Sequence, residues 1–426
     1  MKVKIRNIGI IRDAELQLDG ITVVTGENDS GKSSIGKALF SLVYGIKSYR
    51  NNILDDAKEY IRNDFYQLMK TESEILNENF EDIYFSNDEE SPFIGTFSYE
   101  DVEHELANIE KKINISKYAE LHEQVKKLRE KMKKVKSADF RAMVRKNTIY
   151  RVFFSEFAKK ISNVFTKEKG ILELVEEDAT LLGVGIVGNE IEKIYGKFSL
   201  DNEAQELFSE VSLINTPLII DSLRANHVYF RTILNHRMDI LMKLRVASKT
   251  FTNIIESAEQ DEMKKTVELE LSKVLKRNII HSRSSLYENN GEKFSFSSLA
   301  SGMKSYVIIK LLLDNGYLKK NSLLIIDEPE VHLHPAWQLS FAELLVLLNK
   351  TLGVKLLLAT HSPYFLQAVE VFSQKYDLQE NTHFYLSKRE AKGTILQNID
   401  NNLDETYKLM AEPIKILQSL QDSMED

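Results

Sequence analysis

Gly26-Glu27-Asn28-Asp29-Ser30-Gly31-Lys32-Ser33 is the stretch that decides the fold, because it fits GxxxxGK[ST] in full. The apolar run Ile21–Val24 precedes it and a helix-forming stretch from about Lys32 to Tyr44 follows. That strand–loop–helix context is what the pattern needs to mean something. Glycines let the backbone fold into a nest whose N–H groups, with the helix N-terminus, surround phosphate oxygens. In such a loop Lys32 reaches the β- and γ-phosphates and the Ser33 hydroxyl ligates Mg2+. Gly26, Asn28, Gly31 and Ser34 complete the expected cradle. The ligand this spacing predicts is a nucleoside triphosphate with Mg2+.

Further along, Leu323-Leu324-Ile325-Ile326 runs into Asp327-Glu328, the pattern of a buried parallel strand that ends in two carboxylates. At the C-terminal edge of an open α/β sheet, Asp327 would hold the metal, and Glu328 would polarise the attacking water as general base. Ala359-Thr360-His361-Ser362-Pro363 closes another apolar run 34 residues past Asp327, so the next strand could bring His361 to the same phosphates. Upstream, Ser298-Leu299-Ala300-Ser301-Gly302-Met303-Lys304-Ser305 opens a helical run, and small residues there leave N–H donors exposed. An ordinary serine-capped helix gives the same pattern.

Composition excludes several classes. The 426 residues are 43% hydrophobic and 28% charged, which is the profile of a globular chain long enough for more than one domain. No apolar stretch approaches the roughly 18 residues of a membrane span. The absence of cysteine removes disulfides and thiolate chemistry, and fits a reducing cytoplasm. The net charge of −8 is unevenly placed. Thirteen Asp/Glu and no Lys/Arg lie between Thr71 and Glu110, whereas Lys126–Lys146 holds ten Lys/Arg against Glu130 and Asp139. Such blocks are usually solvated faces; the sharper alternative for the basic one is contact with nucleic-acid phosphates.

The expected fold class is α/β: a mixed sheet with flanking helices, interrupted by a mostly helical insertion. Strands are expected at Lys2–Ile8, Ala14–Leu18, Ser322–Ile326, Lys355–Ala359, His383–Leu386 and Thr394–Leu396. A last amphipathic stretch, Asp404–Gln421, contains Pro413 as a kink or break. Leu121, Val125, Leu128, Met132 and Val135 form a heptad stripe of barely two heptads, which suits a short coiled-coil-like hairpin or bundle. The boundaries expected are 1–101 for the first half of the head, 102–284 for the insertion and 285–426 for the second half.

The order and spacing of these elements resemble the ABC-type ATPases: a Walker A loop, a long insertion, a signature, a Walker B strand 25 residues after Gly302, and a switch histidine. More narrowly, Asp327-Glu328-Pro329-Glu330-Val331-His332-Leu333-His334-Pro335, with Gln338 and Thr360-His361-Ser362-Pro363, resembles the OLD family. It is also similar to the RecF/SMC-like and antiviral-defence ATPases of Septu- and retron-type systems. The resemblance covers residues 1–45 and 295–370; within the insertion it is faint, carried by Asn215-Thr216-Pro217 and His236-Arg237. It implies that two heads sandwich two ATP molecules, so the chain would form a homodimer or higher oligomer through composite sites. Gly26, Lys32, Ser33, Asp327, Glu328 and His361 would then act in cis, and Ser301, Gly302 and Lys304 in trans.

Two departures matter. Ala300 stands where the signature usually has serine, which implies slow hydrolysis, or that Ser301 makes the phosphate contact. Only 65 residues follow His361, too few for the Toprim nuclease domain of OLD proteins, so no intrinsic nuclease is expected. The effector, a nuclease or toxin, would be a separate protein. Two other roles compete: a DNA-repair ATPase that clamps DNA through Lys126–Lys146, and an assembly module that binds ATP and sequesters a toxin. The glutamine that couples nucleotide to the helical region has no clear candidate beyond Gln67, and Glu330, His332 and His334 suit loop packing better than a metal site.

Overall fold

Parallel pairing around the strand before the glycine loop explains where that loop points. The structure is a computed structural model, and it describes residues 1–76, 99–112, 118–135, 137–157, 161, 168–197, 207–224, 235–247, 264–273, 275, 278–280, 286–289, 292–410 and 416–421. In chain order come strands β1 (Lys2–Ile8), β2 (Ile11–Gln17) and β3 (Ile21–Gly26), then helices α1 (Lys32–Leu76), α2 (Tyr99–Lys112), α3 (Ala119–Val135) and α4 (Ala138–Glu156). Next are β4 (Gly170–Glu176), β5 (Ala179–Val187), β6 (Glu190–Tyr195) and β7 (Val211–Ile214), a 3-10 helix Pro217–Arg224, and α5 (His236–Arg245). The rest is β8 (Asn278–Ile280), β9 (Leu286–Asn289), β10 (Glu292–Ser295), α6 (Ser301–Asp314), β11 (Leu323–Asp327), α7 (Pro335–Leu352), β12 (Lys355–Thr360), α8 (Pro363–Lys375), β13 (Thr382–Glu390), β14 (Gly393–Asn398) and α9 (Leu403–Met410).

Among the described residues the main sheet has eleven strands in the order β6-β5-β4-β1-β2-β14-β13-β3-β12-β11-β7. From β13 to β7 every pair is parallel, so five C-terminal ends share one edge. Register sets Thr360 beside Thr25, and Asp327 beside Ala359. Beyond β14 the strands become an antiparallel flap built on β2, β1, β4, β5 and β6. The two halves differ in sequence for a physical reason. Strands β11 and β12 are covered on both faces and read as unbroken apolar runs, whereas β1 has one wet face and alternates.

Helices α7 and α8 start almost as soon as their strands end. His334 and Ser362 cap them, and Pro335 and Pro363 take the first helical position, where the missing proline N–H costs nothing. Only residues 328–334 and 361–362 therefore separate strand from helix. Phe341, Leu345 and Phe365 from these helices bury against Leu324, Ile326 and Leu358. Each such side chain contributes about 1.5–3 kcal/mol.

The chain divides into two compact units, residues 1–45 with 149–426, and residues 46–148. These limits differ from 102 and 284, because α1 continues without a break from the glycine loop into the second unit. Residues 170–195, inside the stretch expected to be mostly helical, are three strands of the main sheet. The heptad stripe of α3 is buried within the second unit against Phe65, Leu68, Leu106 and Phe140. Pro413 and most of the acidic segment, residues 77–98, lie outside the described residues. Among the described residues no helix is long and apolar enough to cross a membrane.

Candidate nucleotide site

Strand β3 delivers the glycine loop to the shared edge, and the loop is shaped by positive φ. Gly26 sits at φ 142°, Asp29 at 59° and Gly31 at 90°. A Cβ on Gly26 would lie 2.6 Å from the Ser387 carbonyl oxygen, so the close approach of β13 requires glycine there. Ser34 N and Ile35 N both donate to Gly31 O, at 3.0 and 3.2 Å, which opens α1. Lys32 Nζ donates to Gly26 O at 2.9 Å and Glu27 O at 2.6 Å, so the ammonium lies across the loop. Burial holds its pKa below the ordinary lysine value, while Asp327, Glu328 and Glu330 pull the other way. Asn28 and Ser33 are exposed and Ser34 is half-buried.

Asp327 ends β11 beside Ser33. Burial raises its pKa above the usual carboxylate value, and a hydrogen bond with Ser33 opposes that shift. Its Oδ1 is buried without a hydrogen-bond partner. A hydroxyl, an orphaned carboxylate oxygen and a lysine beside a loop of backbone N–H groups fit a divalent cation with phosphate oxygens. A cleft lined by Val24, Lys32, Ser33, Gly36, Ile326 and Asp327 runs next to the loop, and neither Ser301, Gly302 nor Lys304 lines it.

Glu328 turns the chain with φ 52°, a left-handed conformation that non-glycine residues seldom adopt, and its N–H donates to Ala359 O at 2.7 Å. Its side chain is 45% exposed, open to solvent beside the site. His361 follows β12, and its Nδ1 lies 3.6 Å from Glu328 Oε1 and 3.4 Å from Glu330 Oε1. Glu330, by contrast, is buried, and His334 accepts from Ala336 N as the cap of α7. Among the described residues no group of three or more His, Asp or Glu forms a metal cluster.

The signature residues open α6. Ser301 begins α6, and Ala300 at its cap offers no side-chain acceptor. A Cβ on Gly302 would meet His332 O at 2.8 Å, so glycine lets α6 approach the loop after β11. Tyr306 OH donates to Trp337 O at 2.9 Å across the same contact. Lys304, expected at a nucleotide, is buried and donates to both carboxylate oxygens of Asp221 at 2.8 Å.

One contribution to this edge is only faintly marked in the sequence, by Asn215-Thr216-Pro217. Strand β7 is parallel to β11, so Thr216 and Pro217 emerge at the shared edge, lining a cleft with Ser305, Asp327, Glu328 and Phe341. The apolar run Val211–Ile214 ahead of Asn-Thr-Pro is the available signal. Gln67 instead lies exposed on α1 in the second unit. In that unit Lys126, Lys133, Lys134, Arg141 and Lys146 are exposed. Lys127 and Lys131 pair with Asp64, and Arg129 with Glu110.

A Walker A loop and a Walker B strand whose ends meet at one edge of this mixed sheet define a P-loop ATPase domain. Residues 1–366 match the model of the AAA ATPase domain (AAA_15), and the chain belongs to that family. It is similar to the Septu protein PtuA of Bacillus thuringiensis, 35% identical over 96 residues. That match covers 20% of this chain and 23% of the relative, so the chain spans under a quarter of that protein's length. Among solved structures it is similar to the SMC head domain from Thermotoga maritima, with 11% identity, a TM-score of 0.38, and 93% and 97% of the two chains covered. It is likewise similar to an Smc head bound to the C-winged helix domain of ScpA, with 9% identity, a TM-score of 0.43, and 95% and 98% covered.

Proposed function

We propose that this ATPase is the slow, Mg2+-dependent nucleotide-sensing subunit of a cytoplasmic antiviral-defence complex, and that it controls a separate effector, a nuclease or toxin. The observation that carries the catalytic part is the buried Asp327 oxygen without a partner, set against Ser33 and Lys32. Ser33 and Asp327 would hold the metal, whose chemistry when bound is to neutralise charge on the phosphates. Lys32 gives up its loop carbonyls for the substrate's phosphates, with Gly26, Asn28, Gly31 and Ser34 around them. Glu328 orients the attacking water and takes its proton, and His361 contacts the terminal phosphate.

Ser301 and Gly302 act on the nucleotide of a second copy, in a homodimer or larger assembly, as the resemblance to ABC-type ATPases implies. The likeness to a Septu protein supports the defence setting and a partner. No nuclease chemistry of its own is proposed. A second reading, a clamp on DNA, is favoured by the exposed cations of α3 and α4.

ATP hydrolysis by the purified chain over a range of protein and Mg2+ concentrations, with and without DNA, tests all of this. Lys32→Ala and Glu328→Gln are expected to lower turnover at least ~100-fold, with Glu328→Gln still binding ATP. Specific activity rising with protein concentration supports shared sites, and salt-sensitive stimulation by DNA supports the clamp. Turnover equal in parent and variants would leave only an ATP-bound assembly module.

A further inference from the structure

A strand that ends in a proline-started helix leaves backbone N–H groups to satisfy at the turn between them. At the end of β12 these belong to His361 and Ser362, and one atom meets both. Glu330 Oε1 accepts from His361 N at 2.9 Å and from Ser362 N at 3.1 Å. The second N–H is shared with Thr360 Oγ1 at 3.1 Å. The same carboxylate oxygen lies 3.4 Å from His361 Nδ1. Glu330 reaches this turn from the loop after β11, and only 5% of it is exposed. Its other oxygen, Oε2, is buried without a hydrogen-bond partner. Ser362 Oγ donates to Gln338 Oε1 at 2.9 Å, which ties the turn to α7 as well.

Packing alone does not account for a buried carboxylate here. An apolar side chain would fill the position without stranding a charged oxygen. What the carboxylate adds is direction. With the backbone of the turn fixed and Nδ1 facing Glu328 and Glu330, Nε2 is the nitrogen left for substrate. We infer that Glu330 is a positioning residue for ATP hydrolysis: as a hydrogen-bond acceptor it fixes the turn that carries His361, and so sets which imidazole nitrogen meets the terminal phosphate. This inference rests on the role proposed above for His361.

The test is steady-state hydrolysis by the full chain, with a thermal melt alongside, for Glu330→Ala, Glu330→Gln, His361→Ala and Glu330→Ala/His361→Ala. Glu330→Ala is expected to lower kcat at least ~10-fold with KM for ATP within about 3-fold. Glu330→Gln keeps an oxygen that can accept both N–H groups and should stay within about 3-fold of the parent. The double variant should fall no further than His361→Ala, because the two residues act in series. Additive losses, or equal losses for Gln and Ala, overturn the inference. If Glu330→Ala does not fold, Gln338→Ala loosens the same turn from α7, and a drop of about 3-fold or more in kcat is expected, absent when His361 is already Ala. An unchanged kcat there overturns it. A full-rate His361→Ala overturns the role of His361 and this inference with it; a full-rate Glu330→Ala beside an impaired His361→Ala overturns the inference alone.

Discussion

Opposite edges of the parallel sheet each carry a histidine between two carboxylates, and the two arrangements behave differently. At the N-terminal edge His383 lies 3.3 Å from Asp19 and 3.2 Å from Asp400, with its side chain 16% exposed. At the C-terminal edge His361 lies 3.6 Å from Glu328 and 3.4 Å from Glu330, with its side chain 42% exposed. The first has a carboxylate at each ring nitrogen, hydrogen-bonded to Nδ1 and in ion-pair contact with the buried Nε2. Asp400 also accepts from Phe384 N and Asn398 Nδ2, so its geometry is fixed as well. The second is closed on one nitrogen and open on the other. A histidine with both nitrogens occupied is a pin; one with a free nitrogen at a nucleotide edge is available for chemistry.

The largest effect separates the two. His361→Ala is expected to lower kcat about 100-fold or more while the melting temperature stays within a few degrees. His383→Ala is expected to do the reverse, lowering stability while turnover per folded molecule is unchanged. Parallel measurement of both quantities on both variants decides it, and a His383→Ala enzyme that folds but does not turn over would break the contrast.

Lys304 gives the next test, because the resemblance placed it at a nucleotide and the structure places it on Asp221. The lysine is buried and its partner half-exposed. Asp221→Ala strands a buried ammonium and should cost about 2–3 kcal/mol in a denaturant melt. Asp221→Asn and Lys304→Met should impair together, and Lys304→Asp/Asp221→Lys should recover much of the loss. A direct contact of Lys304 with nucleotide in trans predicts that Asp221→Asn keeps full turnover and that the exchange recovers nothing.

The pin at the other edge should show itself in pH. Hydrogen bonds to Asp19 and Asp400 raise the His383 pKa to about 9, from an ordinary value of 6.5. A folded-state pKa above the unfolded one gives stability that is fully present below about pH 6.5 and is lost as pH rises through about 9. The hydrogen bond to His383 lowers the pKa of Asp19 from its ordinary 3.8, and that contribution is lost as acid protonates the carboxylate. The pair is therefore strongest between about pH 4 and 6.5. Allowing for solvent screening at this partly open site, His383→Ala should cost about 1–2 kcal/mol at pH 6 and much less at pH 10. A penalty that does not change with pH would mean that ring packing, not charge, is what His383 supplies.

How much of this is legible follows from where each signal resides. The glycine loop and the Asp327-Glu328 strand end are local patterns, with shape and chemistry carried by adjacent residues, so they can be read directly. The strands expected around them lie within a residue or two of β3, β11 and β12. Strands β4 to β6 are not among those expected, although Leu172 and Leu174, then Leu182, Val184 and Ile186, alternate with period two. Glu, Lys and Leu elsewhere in the insertion give it a helical average that hides them. The partnerships of Glu330 and Lys304 are out of reach for another reason. Glu330 meets a turn 31 residues away through parallel register, and Lys304 meets an aspartate 83 residues away. Neither spacing marks the pairs in the sequence.

The smallest expected effect concerns an ion pair beside the glycine loop. Arg389 Nη1 donates to Asp29 Oδ2 at 3.2 Å, but the two side chains are 59% and 77% exposed. Exposed pairs contribute little, so Arg389→Ala should change stability by less than about 0.5 kcal/mol, and less still at high salt. Asp29 matters through its backbone instead, since at φ 59° it holds the bend between Gly26 and Gly31. Asp29→Gly accepts that bend and should keep KM for ATP within about 3-fold, whereas Asp29→Val, with a branched Cβ at positive φ, should raise KM by about 10-fold or more. Equal binding by the glycine and valine variants would place the control of the loop in the ion pair after all. Charge would then govern an open site as well as the closed pin at His383.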